Sequence, residues 1–371
     1  MNSAQLKKKI LITLPCLKED PGGVANYYNS VLPHMYKSNQ FKIELFELGS
    51  THGEKKFLHQ IMDQINYILK LQSVKPDIVH LNPSLNFKSF IREGLILFWT
   101  KNKKIQTIVF FRGWETKFEK KVNKIFRLFF IFTYKRSDVF IVLASEFRQK
   151  LHFWGIKKPV FLFTTAVNED LIKKFSIKEK LEQIKQSKNI RILFLSRLEK
   201  QKGVFETIDA FQLLLETNHN VTLTIAGDGS VTKELHTYIS KKGLTDKIFM
   251  PGYVRGNDKI EIFSKHDIYC FPTYYGEGMP NSVLEAMAFG LAVITTPVGG
   301  IKDFFENRKM GYLCQTSHPE EIAGMIKKFI YCKDQLIKVG LYNHVYAKKH
   351  FMASVAAQNL LDIYDLKQNT Q

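Results

Sequence analysis

A chain of 371 residues is too long for one core of typical size and suits two domains. Its 45% hydrophobic and 24% charged content excludes an intrinsically disordered protein. The formal net charge of +19 is lopsided: residues 1–170 carry 27 Lys+Arg and 14 Asp+Glu, a net of +13, against +6 for the remaining 201.

A basic first half predicts an anionic partner: a membrane surface, nucleic acid or a phosphorylated acceptor. The four cysteines (Cys16, Cys270, Cys314, Cys332) are far apart with no Cys-x-x-Cys pair. Free thiols in a reducing cytosol are expected. The apolar run Ile10–Leu14 is too short for the core of a signal peptide. No window of about 18 uninterrupted apolar residues predicts a membrane-spanning helix.

From the N-terminus, apolar strands alternate with amphipathic helices. Strands are predicted at Lys9–Leu14, Phe41–Leu48, Asp77–Leu81, Gln106–Phe111, Asp138–Leu143 and Val160–Phe163. Helices fill 23–36, 54–71, 86–100, 117–135 and 145–153. This is the βαβ rhythm of a parallel sheet covered on both faces. The loop Pro15–Val24, with Gly22 and Gly23, should lie at the carboxyl ends of the strands, where open α/β sheets bind ligands.

Residues 169–189 are polar and charged, with no buried strand, and read as an interdomain linker. The rhythm restarts with strands at Arg191–Leu195, Val221–Ala226, Lys247–Met250, Asp267–Phe271, Ala292–Thr295 and Tyr312–Cys314. Helices lie near 203–217, 231–242, 257–265, 280–289 and 318–331, and 333–366 is helical by pattern. The fold class is therefore α/β with two doubly wound, Rossmann-like domains.

Chemistry gathers at the strand ends of the second half. Phe271–Gly290 reads as a buried strand end, a glycine-bearing turn and a helix start with Pro280 in its first turn. Free N–H groups at such a start favour an anion. Glu277 and Glu285 flank it. Arg197 and Lys202 follow an earlier strand end, a planar fork and a point charge suited to a diphosphate, or else two solvated surface cations. Ala226-Gly227-Asp228-Gly229 can be a tight turn only. Phe249–Val254, with Tyr253 and Val254, either offers a face to a nucleobase or is an ordinary turn.

In order, Ser196-Arg197-Leu198 with Lys202-Gly203, Ala226-Gly227-Asp228-Gly229, Phe249 with Gly252, and Glu277 with Glu285 resemble the retaining glycosyltransferases of GT-B family 4. Val298-Gly299-Gly300-Ile301, Gly311-Tyr312-Leu313, Gly22-Gly23-Val24 and Pro76–His80 resemble further signatures of that family. The resemblance implies a GT-B fold whose two domains face across a cleft. The acceptor domain would span 1–168, the donor domain 190–345, and a helix in 346–371 would return to the first domain. It further implies that Arg197 and Lys202 bind the donor diphosphate, Glu285 the ribose, and Glu277 the transferred sugar. Gly22, Gly23, Gly227, Tyr253, Val254, Gly278, Met279, Pro280, Asn281, Ser282 and Val283 would complete the donor side.

Arg112 departs from the family pattern, which often has His there. It is the acceptor-side candidate: either it binds an anionic acceptor or phosphate, or the local role has changed. No Asp-x-Asp occurs, so a metal clamp is not indicated and no cofactor is expected. The implied activity is retaining transfer from a nucleoside-diphosphate sugar to a glycolipid, lipid-linked or polysaccharide acceptor. Its alternatives are a nucleotide-sugar epimerase or a non-catalytic membrane- or nucleic-acid-binding protein, although no nucleic-acid-binding motif is present.

Lys117–Arg136 places Phe118, Val122, Ile125, Phe129 and Phe132 on one helical stripe, widened by Phe126, Leu128, Phe130 and Ile131, with lysines opposite. This predicts either an anionic membrane contact or an ordinary domain helix with a wide buried face. The expected location is cytoplasmic, peripheral on the inner face of the cell membrane.

Overall fold

The computed structural model describes residues 7–17, 22–49, 56–217, 220–276, 278–315 and 317–366. The chain divides into two compact units, one of residues 1–166, 276–279 and 353–371 and the other of 167–275 and 280–352. Each is a Rossmann-like α/β domain.

The first unit is built on β1 (Lys8–Pro15), β2 (Phe41–Leu48), β3 (Ile78–Leu81), β4 (Ser84–Leu85), β5 (Gln106–Phe110), β6 (Gly113–Trp114), β7 (Val139–Val142) and β8 (Val160–Leu162). The main sheet has the order β2-β1-β3-β5-β7-β8, and all its pairs are parallel. β4 and β6 form a separate parallel pair that ties the loop after β3 to the loop after β5. Its helices are α1 (Gly23–Met35), α2 (Lys56–Val74), α3 (Phe87–Asn102), α4 (Thr116–Lys124), α5 (Arg127–Phe132) and α6 (Ser145–Phe153). The strands are short and almost wholly apolar because both sheet faces are covered. Leu11, Val79, Leu81, Val109, Phe140 and Val142 join one buried cluster with Phe90, Ile96 and Leu97 of α3. Burying each such side chain contributes about 1.5–3 kcal/mol.

The predicted helix 117–135 is instead broken. Ile125 and Phe126 both donate to the Lys121 carbonyl (2.8 and 3.1 Å), which ends α4, and α5 restarts at Arg127. The break lets one core ring collect its neighbours. The Phe90 ring lies 5.4 Å from Phe118, 6.2 Å from Phe126, 5.4 Å from Phe129 and 4.8 Å from Tyr134, centroid to centroid. The single apolar stripe expected there is therefore not formed. Phe118, Val122 and Phe130 are buried, whereas Ile125, Leu128 and Phe132 are 71%, 69% and 63% exposed.

The second unit has α7 (Glu169–Ile172) and α8 (Ile177–Gln186) before its first strand. The stretch read as a plain linker thus carries two short helices, capped by the side chains of Asn168 and Ser176. Its strands are β9 (Ile190–Leu195), β10 (Val221–Ala226), β11 (Ile248–Gly252), β12 (Ile268–Phe271), β13 (Ala292–Thr295) and β14 (Gly311–Leu313). They form a parallel sheet of order β11-β10-β9-β12-β13-β14. β11 runs on through Pro251, which an edge strand tolerates. The helices are α9 (Val204–Glu216), α10 (Thr232–Lys241), α11 (Gly256–Lys265), α12 (Asn281–Ala288), α13 (Ile301–Phe304), α14 (Pro319–Tyr331) and α15 (Lys333–His350). The pattern expected over 333–366 divides at Phe351–Met352 into α15 and a last helix, α16 (Ala353–Asp365). α15 packs on α8 and α12 within the second unit, and α16 packs on α1 within the first. Among the described residues, no helix is long and apolar enough to cross a membrane.

Candidate functional site

In the second sheet, the strand order reverses direction between β9 and β12. Ligands of open α/β sheets bind outside the carboxyl ends of the strands at that point. The loops after β9, β10 and β12 meet there and brace one another. Leu198 N–H donates to the Asp228 carbonyl (2.9 Å), and Val231 N–H donates to the Leu198 carbonyl (3.1 Å). Gly227 has φ +138°, and a Cβ on it would stand 1.9 Å from the Ser196 carbonyl oxygen, so the two loops close only with glycine. The Asp228 carboxylate accepts from Thr232 Oγ1 (2.7 Å) and Gly229 N–H (2.7 Å), and these bonds, the hydroxyl first, hold its pKa below the usual value. Asp228 therefore organises its own turn.

The turn Lys200–Lys202 after β9 is fastened to the loop after β12. The Gln201 carbonyl accepts from Tyr274 N–H (3.0 Å) and Thr273 Oγ1 (3.2 Å). The next residue, Gly203, has φ +81°, and a Cβ there would meet the Pro272 carbonyl oxygen at 2.4 Å. The two cations singled out in the sequence differ sharply. Lys202 is only 6% exposed, and its Nζ lies 4.2 Å from the Tyr275 ring centroid. The Arg197 side chain is 73% exposed and pairs with Glu199 at 3.3 Å.

Pro280 stands extended before α12 and leads directly into it. The first N–H groups of the helix, on Asn281 and Ser282, have no partner inside it by geometry. With no acidic residue in the first turn, the positive end of the helix dipole is not neutralised there. Tyr269, inside β12, fixes the helix start: its hydroxyl donates to the Leu195 carbonyl (2.8 Å) and lies 2.7 Å from Ser282 Oγ. Val283 is buried behind it. Glu285 is buried and its Oε1 is 2.7 Å from Lys259 Nζ of α11. At the end of β11, Phe249 and Tyr253 are exposed and Val254 is half-buried. Glu277 lies outside the described residues, and Gly278 and Met279 group with the first unit.

In the first unit the reversal falls between β1 and β3. Gly22 precedes α1 without a side-chain cap, and Gly23 opens the helix, both exposed. Beside them runs a buried polar chain. The Tyr28 hydroxyl donates to Asn82 Oδ1 (2.9 Å), and Asn82 Nδ2 donates to the Thr13 carbonyl (2.8 Å). His80 Nδ1 is 2.6 Å from the Tyr364 hydroxyl of α16, and its Nε2 is 3.4 Å from the Tyr28 hydroxyl. With the Tyr28 proton committed to Asn82, His80 donates from Nε2 and accepts from Tyr364 at Nδ1. Burial first, then the Arg112 charge, pushes the His80 pKa down to about 3, so the ring is neutral. Arg112 is buried, with its guanidinium carbon 3.9 Å from the Tyr27 ring centroid and 4.3 Å from that of Phe110.

The structure thus sets Arg197, Lys202, Gly227, Asn281, Ser282 and Glu285 on the loops and helix at the carboxyl edge of the second sheet, and Arg112, Gly22 and Gly23 at that of the first. Sequence reasoning missed Lys259, Tyr275 and the Tyr28–His80–Tyr364 chain. Only His80, within its strand pattern, gave any signal.

Residues 176–342 match the family model described as Glycosyl transferases group 1. A curated relative, an uncharacterized glycosyltransferase of Methanocaldococcus jannaschii, is 29% identical over 249 residues, covering 64% of this chain and 60% of that one. The amylovoran biosynthesis glycosyltransferase AmsK of Erwinia amylovora is 25% identical over 181 residues, covering 47% and 44%. The chain thus spans three-fifths or less of the length of these relatives. Among solved structures, the Anabaena protein HepE, in complex with UDP and glucose, superposes with a TM-score of 0.71 over 96% of this chain and 99% of that one, at 16% identity. That likeness is one of fold.

Proposed function

We propose that the protein is a glycosyltransferase that moves a sugar from a nucleoside-diphosphate sugar to a glycolipid, lipid-linked or polysaccharide acceptor. The observation that carries this reading is the buried Lys202 at the β9–β12 reversal, on a turn fastened to the loop that leads into α12. In this reading the diphosphate lies between Lys202, Arg197 and the first N–H groups of α12. These fixed positive groups stabilise the negative charge that develops as the nucleoside diphosphate leaves. Glu285, held by Lys259, bonds the ribose, and Tyr253 and Val254 flank the base. Glu277 holds hydroxyls of the transferred sugar. Retention of anomeric configuration follows the family resemblance, and independence of metal follows the lack of an Asp-x-Asp in the sequence. The polysaccharide role of one relative and the UDP complex of the fold relative support the choice of substrates.

The proposed acceptor is brought to the protein at the inner face of a membrane. Ile125, Leu128 and Phe132 are exposed among the exposed Lys121, Lys124 and Arg127, an apolar and cationic surface suited to anionic lipid. The direct test of the donor reading is thermal-shift screening against UDP-, GDP-, ADP- and CMP-sugars. One nucleotide series should raise the melting temperature by mass action. A flat response to all four contradicts the reading.

A further inference from the structure

The buried guanidinium of Arg112 sits in the corner between two aromatic rings that stand at 87° to each other. The Tyr27 and Phe110 rings lie at 3.9 and 4.3 Å from its central carbon. Aromatic rings satisfy the faces of a cation but accept nothing from its in-plane N–H groups. Nε and Nη1 of Arg112, both fully buried, have no hydrogen-bond partner among the described residues, and neither does the adjoining Tyr27 hydroxyl. The backbone of Arg112 is fixed between β5 and β6, its N–H donating to the Pro83 carbonyl at 2.8 Å.

No described carboxylate offsets the charge. The ionisable groups that bear on it are the phenols of Tyr27 and Tyr28, both kept neutral by burial, the first pushed up to about 12. His80 is neutral as well. A buried charge without a counter-ion is costly, which makes such a group a candidate for serving a ligand. The orphaned atoms are three donors: Nε and Nη1 of the guanidinium and the Tyr27 hydroxyl. The Nε–H and Nη1–H bonds diverge, so this set complements an oxyanion that accepts from one of them together with the Tyr27 hydroxyl.

We infer that Arg112 and the Tyr27 hydroxyl form a subsite for an oxyanion, phosphate or carboxylate, carried by the acceptor. The assignment to the acceptor rests on the transferase reading above; the subsite itself does not. The surplus of basic residues in 1–170 would draw such an acceptor in.

The test is thermal unfolding of the full-length chain, wild type against Arg112→Met and Lys202→Gln, in a buffer free of oxyanions and then with inorganic phosphate or acetate added. Without added oxyanion, Arg112→Met should melt at or above wild type, because it removes an uncompensated buried charge. Added oxyanion should raise the wild-type midpoint saturably by a few degrees. Lys202→Gln should keep that rise, which excludes the proposed diphosphate site as its source, and Arg112→Met should lose it. Protection by phosphate alone assigns a phosphoryl group; equal protection by acetate assigns a carboxylate. Arg112→Met melting well below wild type in oxyanion-free buffer would make the guanidinium structural and overturn the inference, as would undiminished protection of Arg112→Met or no protection of wild type. The affinity for nucleoside diphosphate should be the same in wild type and Arg112→Met; its loss would give the oxyanion to the donor and overturn the acceptor assignment. If wild type takes phosphate at Arg112 yet binds no sugar nucleotide, the transferase reading fails and the subsite stands.

Discussion

The Lys259 ammonium lies 2.7 Å from Glu285 Oε1, joining α11 to α12 behind the loops at the carboxyl edge of the second sheet. A largely buried carboxylate aimed at a ligand must keep its charge and its direction, and a fixed cation supplies both. Lys259→Met should therefore weaken donor binding, raising the KM for the sugar nucleotide several-fold with a smaller change in kcat. It should also lower stability by about 1–3 kcal/mol, since it strands a buried charge. Steady-state kinetics and denaturant unfolding check this. An unchanged KM would separate Glu285 from the donor.

Gly203 offers a test of the link between backbone and site. Its positive φ and the Pro272 carbonyl 2.4 Å from a would-be Cβ both oppose a side chain, and the opposing atom is backbone that cannot swing away. Gly203→Ala should cost about 1–3 kcal/mol of stability. It should cost more in turnover than in stability, because the residue before it is Lys202. Normal activity at a normal melting temperature would show that this contact is not needed.

Two buried histidines predict acid lability. Burial is the main cause that pushes the His80 pKa down to about 3 and the His266 pKa to about 4. The unfolded chain takes up a proton on each near pH 6.5, and the folded chain refuses it until far lower pH. Folded pKa values below the unfolded ones mean that stability is lost as pH falls below about 6.5. Each group adds a slope of about 1.4 kcal/mol per pH unit. Urea unfolding between pH 6.5 and 5 should show this slope reduced in His80→Gln and in His266→Gln. Unchanged slopes would mean that the rings are protonated in the fold.

The exposed apolar residues of α4 and α5 predict vesicle binding. The chain should float with liposomes containing anionic lipid at physiological salt and not with neutral ones. Replacing Leu128 and Phe132 by Ser should abolish flotation without lowering the melting temperature, since both are more than half exposed. No flotation of wild type sinks the membrane proposal.

The sheets were legible because apolar runs of four to eight residues recur at the spacing of βα units. Strand ends then located Arg197, Lys202 and Gly227 without any knowledge of contacts. What stayed hidden depends on side chains distant in sequence. His80 meets Tyr364 across 284 residues, and nothing local to either announces it. The helix at 117–135 misled for a related reason. Its periodicity is helical throughout, but Phe90 draws Phe126, Phe129 and Tyr134 around one ring, and that packing outweighs an unbroken helix. Equally, two cations five residues apart read alike, and only the fold buries Lys202 and leaves Arg197 in solvent.

The central claim is that the β9–β12 reversal holds a nucleoside diphosphate through Lys202 and Arg197. Titration calorimetry with the nucleoside diphosphate of the preferred donor tests it most directly, on wild type, Lys202→Ala and Arg197→Ala. Wild type should bind at one site. Lys202→Ala should weaken binding about 10–100-fold, in keeping with the loss of a buried charge-assisted contact worth about 1.5–3 kcal/mol, and the exposed Arg197 should cost less. Wild-type affinity retained in both variants would contradict the account.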